Sequence, residues 1–228
     1  MVNKGIMNFR ANDMLYDEQG FTTTGRDFGV GFIGWVALYF VRHHYLDDIS
    51  RSIAPGSAVI EIGCGGGLRY LPSRYDMLGV NVSALSVRHA GRTYASIVQA
   101  TAADFPLMDG CADAIVSNYV LAHLGKDIAD RCVGEMARVL RLGGVMAHCP
   151  DLDGEGPSHR WAKMQPWYEG IFVTSRAHAG LRRFNEWARL FEARGFRIEA
   201  RRFFRKTFLR DFSIWGALDS PSVSGIPR

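Results

Sequence analysis

The chain has 228 residues, 47% of them hydrophobic and 12% aromatic, with a formal net charge of +4. That is long for one domain and short for two, with ample apolar material for a core. Its four cysteines, Cys64, Cys111, Cys132 and Cys149, form no C-x-x-C pair, which argues against a metal site or disulfide framework and for free thiols in core elements of a cytoplasmic protein. The first ten residues lack the apolar core and cleavage site of a signal peptide. The most apolar stretch, Val30 to Val41, is shorter than the roughly 20 residues that span a bilayer. It ends in Arg42-His43-His44 and reads as a helix packed on the body or over a pocket.

Val59 to Gly67 (V-I-E-I-G-C-G-G-G) is the most informative stretch. An apolar run reads as a buried strand, and the bare loop after it lets backbone N–H groups approach a ligand. Dinucleotides and S-adenosylmethionine (SAM) are both bound this way; a flexible turn with no ligand is the bland alternative. The dinucleotide fingerprint G-x-G-x-x-G would need a small residue at position 68, where Leu68 stands. The glycines fall instead at Gly63, Gly65 and Gly67, with Glu61 two residues ahead, and this carboxylate suits the ammonium of an amino acid head group.

Further along, Met77–Val80 is a second apolar run, and Ser83 is placed to cap the helix after it. Ile97–Ala100 is a third run and Ala112–Ser117 a fourth. Asp127–Leu140 has the apolar spacing of a helix, which Gly143-Gly144 ends, and Val145–Cys149 is a fifth strand stopped by Pro150. Alternating strands and helices predict right-handed crossovers and a parallel sheet, with ligands at the carboxyl ends of its strands. Leu181–Arg194 reads as an amphipathic helix closed by Gly195, and Phe196–Ala200 alternates as a strand with one wet face. Asp151–Gly180 shows no period and reads as an insertion near the substrate.

E-x-G-x-G-x-G resembles motif I of the class I SAM-dependent methyltransferases. Asp104 to Leu124 (D-F-P-L-M-D-G-C-A-D-A-I-V-S-N-Y-V-L-A-H-L), Glu135 to Gly144 (E-M-A-R-V-L-R-L-G-G) and Gly180 to Phe196 resemble later segments of that family's small-molecule, methyltransferase type 11-like branch. The resemblance covers residues 55 to 150 well and 180 to 205 loosely. It implies an α/β, Rossmann-like, doubly wound seven-stranded sheet, parallel but for one antiparallel strand near the C-terminus. It implies a single methyltransferase domain: an N-terminal helical cap at 1–54, a SAM-binding core at 55–150, a substrate-side insertion at 151–180, and a C-terminal helix and strands at 181–228.

On this resemblance, Glu61, Gly63, Cys64, Gly65, Gly67, Asn81, Val82, Thr101, Ala102 and Asn118 would line the SAM site. Asn81 stands where the family usually has an acid for the ribose hydroxyls, and Thr101 where it often has one for the adenine amine. For catalysis, His123 is the leading base, since its pKa suits proton removal near neutrality. Tyr119 and Asp151 are candidates for lining the pocket and orienting the acceptor. His159, His178, His43 and His44 are weaker, and His148 reads as structural. Trp161, Trp167 and Tyr168 could wall an aromatic pocket. Every one of these has a plain packing or capping alternative. No metal is expected, because no H-x-x-x-H pattern occurs.

Residues 176 to 210 carry 11 Lys/Arg against three Glu. These arginines alternate with core-type aromatics and read first as a solvated face. The favoured reading is methyl transfer to a small organic acceptor, at oxygen first. The alternatives are a methyltransferase on RNA or another anionic macromolecule, which the absence of an N-P-P-Y-like motif weighs against, and a non-catalytic binding protein on the same fold.

Overall fold

The computed structural model describes residues 45–118, 120–153, 161, 164, 181–207 and 210–218. Five parallel strands form the centre of the sheet: β1 (Ala58–Ile62), β2 (Asp76–Asn81), β3 (Ser96–Gln99), β4 (Ala112–Asn118) and β5 (Leu140–Cys149), in the order β3-β2-β1-β4-β5. The chain moves outward one way from β1 to β3, then returns to the other side of β1 with β4. That reversal puts a crevice beyond the carboxyl ends of β1 and β4, where ligands bind in open α/β sheets.

Both faces of the sheet are covered. A helix at residues 45–52 (α1) buries Tyr45 and Ile49, with Ile53 just beyond it, against Val59, Ala114 and Val116. On the opposite face α3 (Lys126–Val139) and α4 (Phe184–Glu192) bury Val133, Met136, Trp187 and Phe191 against Ile60, Ile62 and Ile115. β1 sends Val59 to one core and Ile60 and Ile62 to the other, which is why its sequence is apolar without alternation. The short helix α2 (Ala84–Ala90) begins at Ser83, whose hydroxyl accepts from the Ser86 N–H at 3.1 Å, as the sequence predicts.

The end of α3 departs from the expectation. The helix stops at Val139, and Leu140 is already extended, at φ −78° and ψ 132°. Gly143-Gly144 therefore lies inside the start of β5, where the register with β4 shifts from Ala112–Leu140 to Ala114–Val145. Gly143 is left-handed, and a Cβ on Gly144 would meet the Leu140 side chain at 2.7 Å. The glycine pair takes up this register shift at the start of β5 rather than capping the helix. Cys111 also departs: it is exposed, while Cys64, Cys132 and Cys149 are buried and all four are free thiols.

Beyond β5, β8 (Arg210–Leu218) runs antiparallel to it, and β6 (Asp151–Leu152) and β7 (Ile198–Thr207) each pair antiparallel with β8. The stretch read as a strand at Phe196–Ala200 is the start of the longer β7. α4 is capped by the Glu186 carboxylate, which accepts from the Arg183 N–H at 2.7 Å, and Gly195 closes the turn after it in the left-handed conformation. The expected helix at Val30–Val41 lies outside the described residues. Among those described, no helix is long and apolar enough to cross a membrane.

Candidate active site

The loop after β1 is built as its sequence requires. Gly63, Gly65 and Gly67 have φ of +66°, +51° and +76°, a conformation that L side chains rarely adopt. A Cβ on Gly63 would lie 2.9 Å from Val120 Cγ1 and nearer still to Cγ2; one on Gly67 would lie 2.9 Å from Thr93 Cβ. The loop is stapled to β2, since the Gly63 N–H donates to Val80 O at 2.7 Å and that of Cys64 to the same oxygen at 3.3 Å. Gly67 N–H turns back to Cys64 O at 2.7 Å.

Glu61 closes on this loop from beneath, and its carboxylate is almost fully buried. Its Oε2 accepts a hydrogen bond from the Tyr94 hydroxyl, and the same hydroxyl accepts from the Leu68 N–H at 2.8 Å. Thr93 Oγ1 donates to Gly66 O at 3.1 Å. The Cys64 thiol lies against Asn81; burial first, then the Glu61 charge, push it up to about 12, so it stays a neutral thiol. Burial and the same carboxylate also push the Tyr94 hydroxyl far above its ordinary range.

Asn81 ends β2 half-buried, and its Oδ1 accepts the Ser83 N–H at 3.0 Å, leaving one further lone pair. The Val82 carbonyl accepts from Gln99 Nε2 at 3.1 Å. Thr101 and Ala102 are half-buried just past β3, with Thr101 Oγ1 accepting the Ala103 N–H at 3.3 Å. Asn118 ends β4 beside Cys149, and its Oδ1 is buried with no hydrogen-bond partner. Strand topology thus brings the ends of β1, β2, β3 and β4 with their candidate residues to one edge.

His123 ends a 3-10 turn (Leu121–His123) that follows β4 on this same edge; it is half-buried, and its N–H donates to Val120 O at 2.9 Å. His148 lies within β5, fully buried, with Nδ1 2.7 Å from Ser117 Oγ. Burial drives its pKa down to about 3, so it remains neutral and acts structurally. Trp161 is exposed. Asp151 begins β6 opposite Phe212, but its side chain lies outside the described residues. Tyr119, His43, His44, His159, Trp167, Tyr168 and His178 lie outside them as well.

Sequence reasoning missed three residues here. Tyr94 was hinted at by Gly79: a lone glycine in a strand marks a close approach, and a Cβ there would meet Tyr94 Cδ2 at 3.0 Å and Cys64 Sγ at 2.9 Å. Val120 roofs Gly63. Tyr45, fully buried on α1, carries a hydroxyl close to Glu61, Cys149 and the Ser117 backbone N–H; that N–H faces it, but not within hydrogen-bond geometry, so the hydroxyl has no well-formed partner. Nothing in its local sequence sets it apart from an ordinary core tyrosine. The conspicuous segment E-M-A-R-V-L has a supporting task. Glu135 accepts from the Phe105 N–H at 2.7 Å and from Arg138 Nη2 at 2.8 Å, and Arg138 donates to the carbonyls of Leu107 (2.7 Å) and Phe105 (2.9 Å). The pair clamps the loop that leads into β4.

A doubly wound parallel sheet with a glycine-rich loop at its switch point is a Rossmann-like architecture. Residues 60–148 match the model of the methyltransferase domain family, and this region is a class I SAM-dependent methyltransferase domain, whose cofactor is SAM. The chain is 32% identical to malonyl-[acyl-carrier protein] O-methyltransferase of Pectobacterium atrosepticum over 109 residues, 43% of this chain and 40% of that protein. It is 37% identical to a probable tRNA methyltransferase 9B of Mus musculus over 95 residues, 40% of this chain and 21% of that protein. The chain thus spans well under half the length of these two relatives. Among solved structures it resembles geranyl diphosphate C-methyltransferase from Streptomyces coelicolor A3(2), solved with Mg2+, geranyl diphosphate and S-adenosyl-L-homocysteine. The TM-score is 0.62 at 13% identity, over 80% of this chain and 81% of that one.

Proposed function

We propose that the protein is a SAM-dependent methyltransferase acting on a small organic acceptor, with oxygen as the acceptor atom. The observation that carries the reading is the loop Gly63–Gly67, where all three alternating glycines are left-handed at the switch point of the sheet. Two further atoms suit a ligand with an amino acid head. Buried polar groups are nearly always satisfied, yet Asn118 Oδ1 and the Tyr45 hydroxyl have no partner. An ammonium would satisfy the first, and a carboxylate the second. Asn81 keeps a lone pair for a ribose hydroxyl, Gly63, Cys64, Gly65, Gly67 and Val82 form the backbone cradle, and Thr101-Ala102 flank the adenine.

SAM, when bound, supplies a methyl group on a positively charged sulfur, open to in-line attack. The chain's part is to align the acceptor, exclude water and remove its proton. His123 serves as that base, with Tyr119 and Asp151 lining and orienting. The domain plan carries over: residues 1–54 cap the site and 151–180 build the acceptor side, while β7, β8 and the two-residue β6 extend the five parallel strands to eight rather than the expected seven, with β8 antiparallel to β5. The pairing of β8 with β5 and β7 supports that plan. The match to a malonyl-[acyl-carrier protein] O-methyltransferase supports oxygen as acceptor atom.

A second reading, methyl transfer to RNA, draws on the tRNA methyltransferase match and the basic stretch 176–210. Titration calorimetry with SAM and S-adenosylhomocysteine tests the cofactor; binding of neither at millimolar concentration would defeat both readings. RNA affinity that falls steeply with salt would favour the second over the first.

A further inference from the structure

We propose that Tyr94 is the positioning residue of the glycine loop, a hydroxyl relay that transmits the Glu61 charge to the Leu68 N–H and sets the loop before the cofactor arrives. This rests on the cofactor reading above. The near half of the loop is fixed by β2 through Val80 O. The far half, Gly66 to Leu68, is gripped from the turn between α2 and β3, by Thr93 at Gly66 O and by Tyr94 at Leu68 N–H.

Proton direction in the relay follows from chemistry. An ionised carboxylate only accepts, so the Tyr94 proton points to Glu61 Oε2, and its oxygen lone pairs are left for Leu68. Donation to an anion makes that oxygen a better acceptor, so the loop N–H bonds into a polarised chain rather than to an isolated hydroxyl. The ring is seated where Gly67 and Gly79 carry no side chains: Cβ atoms there would stand 3.3 Å and 3.0 Å from it. Three left-handed glycines make a loop with much conformational freedom to lose. Unclamped, that loop must be ordered by the ligand, and the apparent affinity falls by the fraction of time the competent loop is formed.

Tyr94→Phe keeps the ring and removes the relay. SAM and S-adenosylhomocysteine affinity should fall at least tenfold by calorimetry, with KM for SAM raised and kcat at saturating SAM within about twofold. Without ligand, hydrogen exchange at the Leu68 amide should speed up at least tenfold. Tyr75→Phe is the control: its hydroxyl donates to Ile53 O at 3.4 Å in the same core, away from the loop, and neither readout should move. If Tyr94→Phe loses thermal stability but keeps wild-type SAM affinity and Leu68 exchange, Tyr94 only packs and the proposal is overturned. If the wild type itself binds neither SAM nor its product, the cofactor reading fails separately, and Leu68 exchange alone decides the relay. If Tyr94→Phe does not fold, the double variant with Glu61→Gln removes the stranded charge, and ligand-free Leu68 exchange alone decides the relay, because Glu61 is itself a candidate SAM contact.

Discussion

Gly63 offers a sharp test of how the loop is built, because two costs coincide there and can be separated. A side chain at φ +66° costs about 1–2 kcal/mol for the left-handed backbone alone. A Cβ 2.9 Å from Val120 Cγ1 and 3.1 Å from its Cβ adds overpacking of about 1–3 kcal/mol. Gly63→Ala should therefore destabilise by about 2–5 kcal/mol, within the ~5–15 kcal/mol stability of an ordinary domain. Gly56, at φ +81° with nothing within 4 Å of its Cβ, isolates the backbone cost, and Gly56→Ala should lose only about 1–2 kcal/mol. Val120→Ala opens the space above Gly63, so the pair Gly63→Ala/Val120→Ala should show a favourable coupling of about 1–3 kcal/mol. Urea titrations of the four variants and wild type measure all these terms, and calorimetry with SAM should show weakened binding for Gly63→Ala but not for Gly56→Ala. Equal destabilisation at positions 56 and 63, with no coupling to Val120, would refute the steric account of the loop.

Three further outcomes follow from the same geometry. Asn81→Asp retains the acceptor for the Ser83 N–H and adds a charge, so SAM should bind more tightly by about 1 kcal/mol, roughly fivefold; unchanged affinity in calorimetry counts against a ribose contact at Asn81. Tyr45→Phe deletes a hydroxyl without a partner, so ligand-free stability in urea should hold or rise by up to about 1 kcal/mol while SAM affinity drops; a stability loss above that would mean the hydroxyl is satisfied without ligand. The Arg138 hydrogen bond, with help from the Phe105 N–H, holds the Glu135 carboxyl below its usual range. A depressed folded pKa stabilises fully above the unfolded value of about 4.3 and loses that contribution as pH falls through the folded one. Glu135→Gln should therefore cost about 1.5–3 kcal/mol at pH 7, and the gap to wild type should close on acidification below about pH 4; a constant gap down to pH 3 refutes the assignment.

The local grammar of the chain gave away the parts whose determinants are local. The apolar run before Gly63 reads as a strand because β1 is buried on both faces, and Ser83 reads as a cap because its hydroxyl serves the Ser86 N–H three residues on. Gly143-Gly144 misled for a local reason too: a glycine pair after a helix is a stop signal, but Leu140 had already left the helix to pair with Ala112, a contact set by topology. Tyr94 lies 33 residues from Glu61 and 26 from Leu68, so no window of sequence holds the relay together. Tyr45 becomes notable only once α1 is packed on the sheet, since its interest lies in a hydrogen bond it fails to make.

Glu61 shows why this matters for the chemistry. Read from its motif, the carboxylate faces an ammonium directly. In the fold its Oε2 is taken by Tyr94, and the residue is only 3% exposed. A charge in that setting does more by organising its neighbours than by meeting a ligand head-on: it fixes the Tyr94 proton, and through it the far half of the glycine loop. On the proposed cofactor reading, Asn118 Oδ1 and the Tyr45 hydroxyl would join Glu61 as head-group contacts, since both are buried without a hydrogen-bond partner. The two roles separate in the variants already described. Tyr94→Phe should act on loop exchange without ligand, whereas Tyr45→Phe should leave Leu68 exchange alone and act on affinity.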